Sequence, residues 1–146
     1  MNIRPVTAAD HEAWRELFRA YGVFYETTFS DQVLDGVWGW LMDPAHEVHA
    51  IVAEREGELV GFAHIRRLWD TFTAGPGWFL DDLYVAPEHR GTGVARALIE
   101  RGYADAEAAG GGTFRWITAA GNETAQLLYD RIATRADWVV YEKELG

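Results

Sequence analysis

Hydrophobic and polar positions change period several times along the chain, and each change predicts an element. Asn2 to Val6 reads as a short first strand. Trp14, Leu17, Phe18 and Tyr21 then fall at i, i+3, i+4 and i+7, one face of an amphipathic helix over residues 8 to 25. Thr7, with Asp10 three residues on, offers a capping box at its start. Leu34, Val37, Trp38 and Leu41 form a second helical stripe, opened by Ser30 as N-cap and ended by Asp43-Pro44. Glu47 to Arg55 and Glu58 to Arg67 flank Gly57 and predict an antiparallel hairpin. Leu68 to Gly77, ending in Gly-Pro-Gly, reads as a loop.

The next stretch is apolar on both parities. Phe79, Leu83 and Val85 share one, and Leu80 and Tyr84 the other, which predicts a central strand buried on both faces. Pro87, with no N–H to give a ladder, stops it. Ala95, Leu98, Ile99, Gly102 and Ala106 return to helical spacing, and Arg96–Glu100 and Arg101–Asp105 are i,i+4 ion pairs on the remaining surface. Gly110 to Gly112 is a break, Thr113 to Thr118 a strand, and Gly121-Asn122 the turn into a helix with Ala125, Leu128, Tyr129 and Ile132 on one stripe. Asp137 is a turn before a closing strand, Trp138 to Glu144. The order β-α-α-β-β-β-α-β-α-β predicts an α/β (α+β) fold.

Composition narrows the possibilities. A chain of 146 residues is of single-domain size, and 49% hydrophobic residues supply a core, so one domain over 1–146 is expected. The absence of cysteine excludes disulfides, thiolate metal sites and a cysteine nucleophile. No apolar run approaches the roughly 20 residues of a membrane span, and MNIRPVTAADHE contains no signal-peptide core, so a soluble, cytoplasmic protein is expected. A net charge of −10 argues against nucleic acid and suits cationic partners, amines among them, or serves solubility alone. His46 and His49 lack the HExxH frame, read as surface histidines, and predict no metal site.

The candidate chemistry centres on Arg90-Gly91-Thr92-Gly93-Val94-Ala95, between the central strand and its helix. The first N–H groups of a helix lack intrahelical partners and carry the positive end of its dipole. Glycines at 91 and 93 let the backbone curl and an anion approach, which points to a phosphate or pyrophosphate. Two familiar phosphate loops are excluded. A dinucleotide fingerprint needs Gly or Ala where Arg96 stands, and no Gly-Lys-Ser/Thr triplet occurs. Asp81 and Asp82 are neighbours in the strand and are expected on opposite faces. Carboxylates there are costly unless paired or solvated, so one is read as facing a cleft, able to bind an ammonium, with a salt bridge to arginine as the other reading.

Arg90-x-x-Gly93-x-Ala95 after Leu80-Asp81-Asp82-Leu83-Tyr84-Val85, with Asn122 and Tyr129 downstream, resembles the acetyl-CoA signature of the GCN5-related N-acetyltransferase (GNAT) family, and the resemblance covers nearly the whole chain. It implies the GNAT acyl-CoA N-acyltransferase fold, a mixed central sheet with helices on both faces, with acetyl-CoA as cosubstrate and direct attack by a primary amine. A small or polyamine-like acceptor is favoured, a protein lysine is the other candidate, and a non-catalytic acyl-CoA-binding regulatory domain is the alternative function. By resemblance, the backbone of Leu83, Tyr84 and Val85 pairs with the pantetheine and polarises the acetyl carbonyl. Arg90, Gly91, Thr92, Gly93, Val94, Ala95 and Arg96 hold the pyrophosphate through main-chain N–H groups.

Tyr129 matches the family's general acid and Asn122 its cofactor-contacting asparagine; on pattern alone Tyr129 reads as a core residue and Asn122 as an N-cap. Asp82 and Asp81 match an acidic pair near the amine in one branch. Tyr25, Glu26 and His64 are weaker candidates for the substrate wall, while Trp38, Trp40 and Trp78 read as core. Ile132 to Trp138 stands where many members have Gly-Phe and two closing strands. That ending, with FLDDLYV and the early Tyr21 and Tyr25, resembles the Hpa2-like and spermidine/spermine-type branch, which implies a homodimer through the segment Trp138 to Tyr141.

Overall fold

The computed structural model describes residues 1–146. Five strands form one mixed sheet in the order β1-β2-β3-β4-β5. They are β1 (Asn2–Pro5), β2 (Val48–Arg55), β3 (Glu58–Asp70), β4 (Gly75–Val85) and β5 (Phe114–Arg115). The first four are antiparallel neighbours, and β5 runs parallel to β4. The helices are α1 (His11–Phe24), entered through a 3-10 turn at Ala8–Asp10, α2 (Asp31–Leu41), α3 (Val94–Ala108) and α4 (Glu123–Ile132). No helix is long and apolar enough to cross a membrane.

The apolar run of β2 divides as strand geometry requires. Val48, Ala50 and Val52 face α1 and α2, where they meet Trp14, Leu17, Phe18, Leu34 and Leu41 together with Phe62 and Tyr84. Ile51 and Ala53 face α3, whose Val94, Leu98 and Ile99 also cover Val60, Ala63, Leu80 and Val85. The sheet is thus covered on both faces, as the two-sided apolar pattern of β4 implies. Ser30 caps α2 by accepting from the Val33 N–H at 3.2 Å. At the other end of the sheet Arg4 ties three segments together. Its guanidinium bonds Asp10 at 2.7 and 2.9 Å and Glu54 at 3.0 Å, and holds the Asp10 carboxyl below the usual carboxylate range.

Several sequence expectations are corrected. Leu68 to Gly77 is not a loop: β3 continues to Asp70, and β4 already begins at Gly75. Pro76 is tolerated near the start of its strand. The paired strands carry an aromatic cover there, with the Arg67 guanidinium 4.5 Å from the Trp69 ring and 5.9 Å from that of Trp78. Trp40 is 47% exposed and stacks on His46, so it is not core. The strand over Thr113 to Thr118 shrinks to Phe114–Arg115, and Trp138 to Glu144 forms no strand. A strand needs a partner's edge, and in this chain that segment pairs with none.

The parity of β4 is also corrected. His64 pairs with Asp82, but Ile65 pairs with Leu80, which leaves Asp81 as an extra residue in a β-bulge. Beyond the bulge the faces exchange. Leu80 therefore joins Leu83 and Val85 on the α3 side, while Tyr84 packs on the α1 side.

Gly110, Gly111 and Gly112 all have positive φ, at 123°, 69° and 101°, and deliver the chain from α3 to β5. There the Trp78 N–H bonds the Thr113 carbonyl at 2.9 Å, and the indole N–H of Trp78 bonds that of Gly111 at 2.8 Å. A Cβ on Gly112 would collide with the Pro76 carbonyl oxygen, whereas one on Gly111 meets nothing. Gly111→Ala is expected to cost about 1 kcal/mol, for left-handed backbone alone, and Gly112→Ala about 3 kcal/mol, with the collision added. Urea unfolding midpoints of the two variants measure the difference.

Candidate active site

β4 and β5 pair only at Trp78–Phe114 and Phe79–Arg115. Beyond that point they part, and the edge of β4 from Leu80 to Val85 that faces away from β3 has no strand partner. An unpaired edge presents a row of N–H and C=O groups ready for an extended ligand. At the end of β4 the chain makes a 3-10 turn, Pro87–His89, passes through Gly91 and Gly93 at φ 74° and 89°, and enters α3. Neither glycine has any atom within 4 Å of where a Cβ would sit, so both serve backbone conformation and leave open space.

No side chain caps α3, whose start is pinned by buried Val94. The side chains of this loop are occupied elsewhere. Arg90 Nε donates to the Val85 carbonyl at 3.0 Å, and its guanidinium lies 5.4 Å from the Tyr84 ring and 5.7 Å from that of Phe24. Thr92 donates to the His89 carbonyl and accepts from Arg55, and Arg96 pairs with Glu100. Main-chain N–H groups are what residues 91–96 leave open, whereas the Arg90 N–H is given to the Pro87 carbonyl at 3.3 Å.

The other wall is α4. Asn122 is its N-cap, accepting from the Ala125 N–H at 3.3 Å. Tyr129 lies farther along α4, half-buried, with its ring 5.3 Å from that of Trp116. Burial, and then the neighbouring Tyr25, raise the Tyr129 phenol above its ordinary value. From across the sheet α1 supplies Tyr21, and Tyr25 just past its end, their rings 5.0 Å apart. Burial first, and then the charge and hydrogen bonding of Asp82, push the Tyr21 phenol up, with Tyr25 and Tyr129 adding to it. Asp82, Tyr21, Tyr25 and Tyr129 therefore form one group drawn from β4, α1 and α4.

The two aspartates are not on opposite faces. Asp82 Oδ2 lies 2.9 Å from His64 Nδ1, and Asp81 accepts from Arg66 Nε and Nη2 at 3.1 and 3.0 Å. His64 and Arg66 are two apart on β3 and share a face, because the bulge at Asp81 breaks the alternation. Asp81 is thus the salt-bridged carboxylate, and Asp82 the one turned toward the phenols. His64 is 1% exposed, too deep to line a wall, and its Nε2 accepts from Trp14 Nε1 at 2.9 Å. Glu26 lies exposed beyond α1 at φ 58° and makes no hydrogen bond to the group. Periodicity placed Trp14 and Tyr21 on a core stripe only. The signal available was that each carries a polar tip, which a buried stripe must satisfy.

The model of the acetyltransferase (GNAT) family matches residues 11–133. The chain belongs to the GNAT family. It is accordingly an enzyme of the acyltransferase class. Among its relatives, D-amino-acid N-acetyltransferase HPA3 of Saccharomyces cerevisiae is 30% identical over 97% of this chain and 89% of its own length. A ribosomal-protein-alanine N-acetyltransferase from Brucella melitensis superposes with a TM-score of 0.82 at 26% identity, covering 99% of this chain and 100% of the other. The aminoglycoside enzyme AAC(6')-Iy, solved with the bisubstrate analogue CoA-S-monomethyl-acetylneamine, shares the fold at a TM-score of 0.86 and 20% identity, over 99% of this chain and 98% of its own.

The raised phenols give the fold an alkaline signature. A phenol raised in the fold holds its proton where the unfolded chain has lost it, so stability is complete below the unfolded value of about 10 and declines as pH rises past it. Tyr21 and Tyr129 both contribute in this sense. Tyr21→Phe and Tyr129→Phe are each expected to flatten the alkaline decline, read as urea midpoints between about pH 9 and about pH 11.

Proposed function

We propose that the enzyme transfers the acetyl group of acetyl-CoA to a small primary amine by direct attack. The observation that carries this reading is the gap where β4 leaves β5. An unpaired strand edge and an uncapped helix N-terminus open beside a carboxylate and a phenol that come from different elements. The residues present fit the cosubstrate: a strand edge for the pantetheine amides at Leu83 to Val85, and N–H groups with open glycines for the pyrophosphate. Acetyl-CoA supplies the acyl group and a thiolate leaving group.

The residues then divide the work. Asp82 binds the acceptor ammonium and takes its proton, directly or through a water, so that the neutral amine can attack. A main-chain N–H on the free edge of β4 donates to the carbonyl oxygen as charge builds on it. Tyr129 keeps its proton through the working range and offers it to the sulfur as the C–S bond breaks. Asn122, at the start of α4, lies on the cofactor side. The formal charge of −10 draws cationic amines toward the site, and Tyr21 and Tyr25 give their aliphatic parts an aromatic wall. The small acceptors named for HPA3 and for the AAC(6')-Iy analogue support a small amine over a protein lysine.

A panel of amines assayed for thiol release tests the proposal. Release with one or more primary amines is expected, and acetyl-CoA binding with no release across the panel would overturn it. Tyr129→Phe keeps the ring and its packing, so acetyl-CoA affinity should stay near normal while turnover falls by roughly two orders of magnitude.

We also propose a homodimer. Trp138, Val139, Val140, Tyr141 and Leu145 are all more than half exposed and lie in a segment without a strand partner, which suits pairing with a second copy. Light scattering should give twice the 16.4 kDa chain mass, and a monomer at assay concentration would contradict it.

A further inference from the structure

The mechanism above uses Asp82 and leaves the two residues behind it, His64 and Trp14, without a part. His64 is sealed among aromatic rings, with Phe62 at 4.6 Å and Phe18 at 4.9 Å between centroids. Its two nitrogens have separate partners: Trp14 Nε1 is 2.9 Å from Nε2, and Asp82 Oδ2 is 2.9 Å from Nδ1. An indole N–H donates and cannot accept. Nε2 is therefore the bare, accepting nitrogen, and the single ring proton sits on Nδ1, where it is donated to Asp82. A second proton on Nε2 would point at the indole N–H and leave both donors unpaired in an apolar surround. His64 in this arrangement is a neutral donor and not a proton acceptor for the amine.

We infer that His64 is a positioning residue for Asp82: Trp14 fixes its tautomer, and the Nδ1–H holds Oδ2 so that Oδ1 is left to the acceptor's ammonium. The inference rests on the reading of Asp82 as the carboxylate that takes the amine's proton. The neighbouring aspartate shows why a neutral partner matters. Arg66 grips Asp81 with two bonds and cancels its charge, whereas His64 fixes the geometry of Asp82 and leaves the charge intact for a cation. The groups facing Asp82 are His64 from β3 and Tyr21 from α1, with Tyr25, just past α1, and Tyr129 from α4 beside Tyr21, and the cation nearby on β3, Arg66, is bonded to Asp81. The bond between His64 and Asp82 also joins a deeply buried part of the core to the reacting end of the cleft.

Nitrogen-15 NMR of the free, full-length protein tests the first half without any assay of activity. Nδ1 of His64 should be protonated and Nε2 bare at neutral pH. An Nε2–H tautomer or an imidazolium there would overturn the inference. The second half is tested by two substitutions. His64→Asn keeps a side-chain N–H near the position of Nδ1 and should stay within about threefold of wild-type kcat/KM for the amine. His64→Leu removes the donor and should lower kcat/KM for the amine by about 10- to 100-fold, the range for losing a hydrogen bond to a charged group. It should also leave the KM for acetyl-CoA unchanged. Equal losses in both variants, or a raised KM for acetyl-CoA in His64→Leu, would show a packing role only. Should His64→Leu fail to fold, Trp14→Phe takes its place: without the indole N–H nothing confines the ring proton to Nδ1, so Nε2 protonation should appear at neutral pH, and an unchanged Nδ1–H tautomer would overturn Trp14's part. If no amine is acetylated at all, the proposed function falls, and the NMR result still decides the tautomer.

Discussion

One unpaired residue in β4 sets the direction of everything that follows it. Because Asp81 is extra in the ladder with β3, the strand reverses its faces between Leu80 and Asp82. Without the bulge, strict alternation would place Leu80 and Asp82 together, and one of the two cores would receive a carboxylate where it now has a leucine. With it, Leu80 fills the α3 side, while Asp82 and Tyr84 turn to the α1 side, where the phenols stand. The bulge also falls next to the place where β4 and β5 separate, so a single local irregularity both opens the cleft and points a carboxylate toward it.

The two halves of the cleft come from different physical sources. The half proposed for the anion is backbone: left-handed glycines, an uncapped helix and an unpaired strand edge, whose charges are partial and fixed in place. Its side chains are engaged within the fold, as Arg90 is with the Val85 carbonyl and Arg96 with Glu100. The half proposed for the acceptor is side chain, with three phenols and one carboxylate. The negative net charge of the chain need not conflict with the proposed binding of a pyrophosphate, since the groups offered to the phosphates are amides.

Much of this was legible in the sequence, and the failures have a common cause. The helical stripes around Trp14, Leu34 and Leu98 and the glycine loop at 91–93 depend on local spacing, which a chain carries in itself. The bulge at Asp81 depends on how two strands align, and alternation alone assigned Leu80 and the aspartates to the wrong faces. Trp138 to Glu144 has strand-forming residues, but a strand exists only against a partner. Gly-Pro-Gly at 75–77 carried turn signals, yet the ladder continues through it, supported by cross-strand aromatics. Local pattern puts His64 on the substrate wall, because its depth is set by Trp14, fifty positions away along the chain.

Helix α1 reads as a gradient from structure to surface. Trp14 is completely buried, Phe18 nearly so, Tyr21 half-buried, and Tyr25 is 48% exposed. The deep end anchors the aromatic core and the histidine beneath Asp82, while at the shallow end Tyr25, just past the helix, meets Tyr21, Phe24 and solvent. Diversification of the acceptor is therefore expected to proceed from the shallow end, where side chains can change size and polarity at little structural expense. The deep end is bound to the stability of the whole molecule. A single helix thus separates the part of the pocket that selection can vary from the part it must keep.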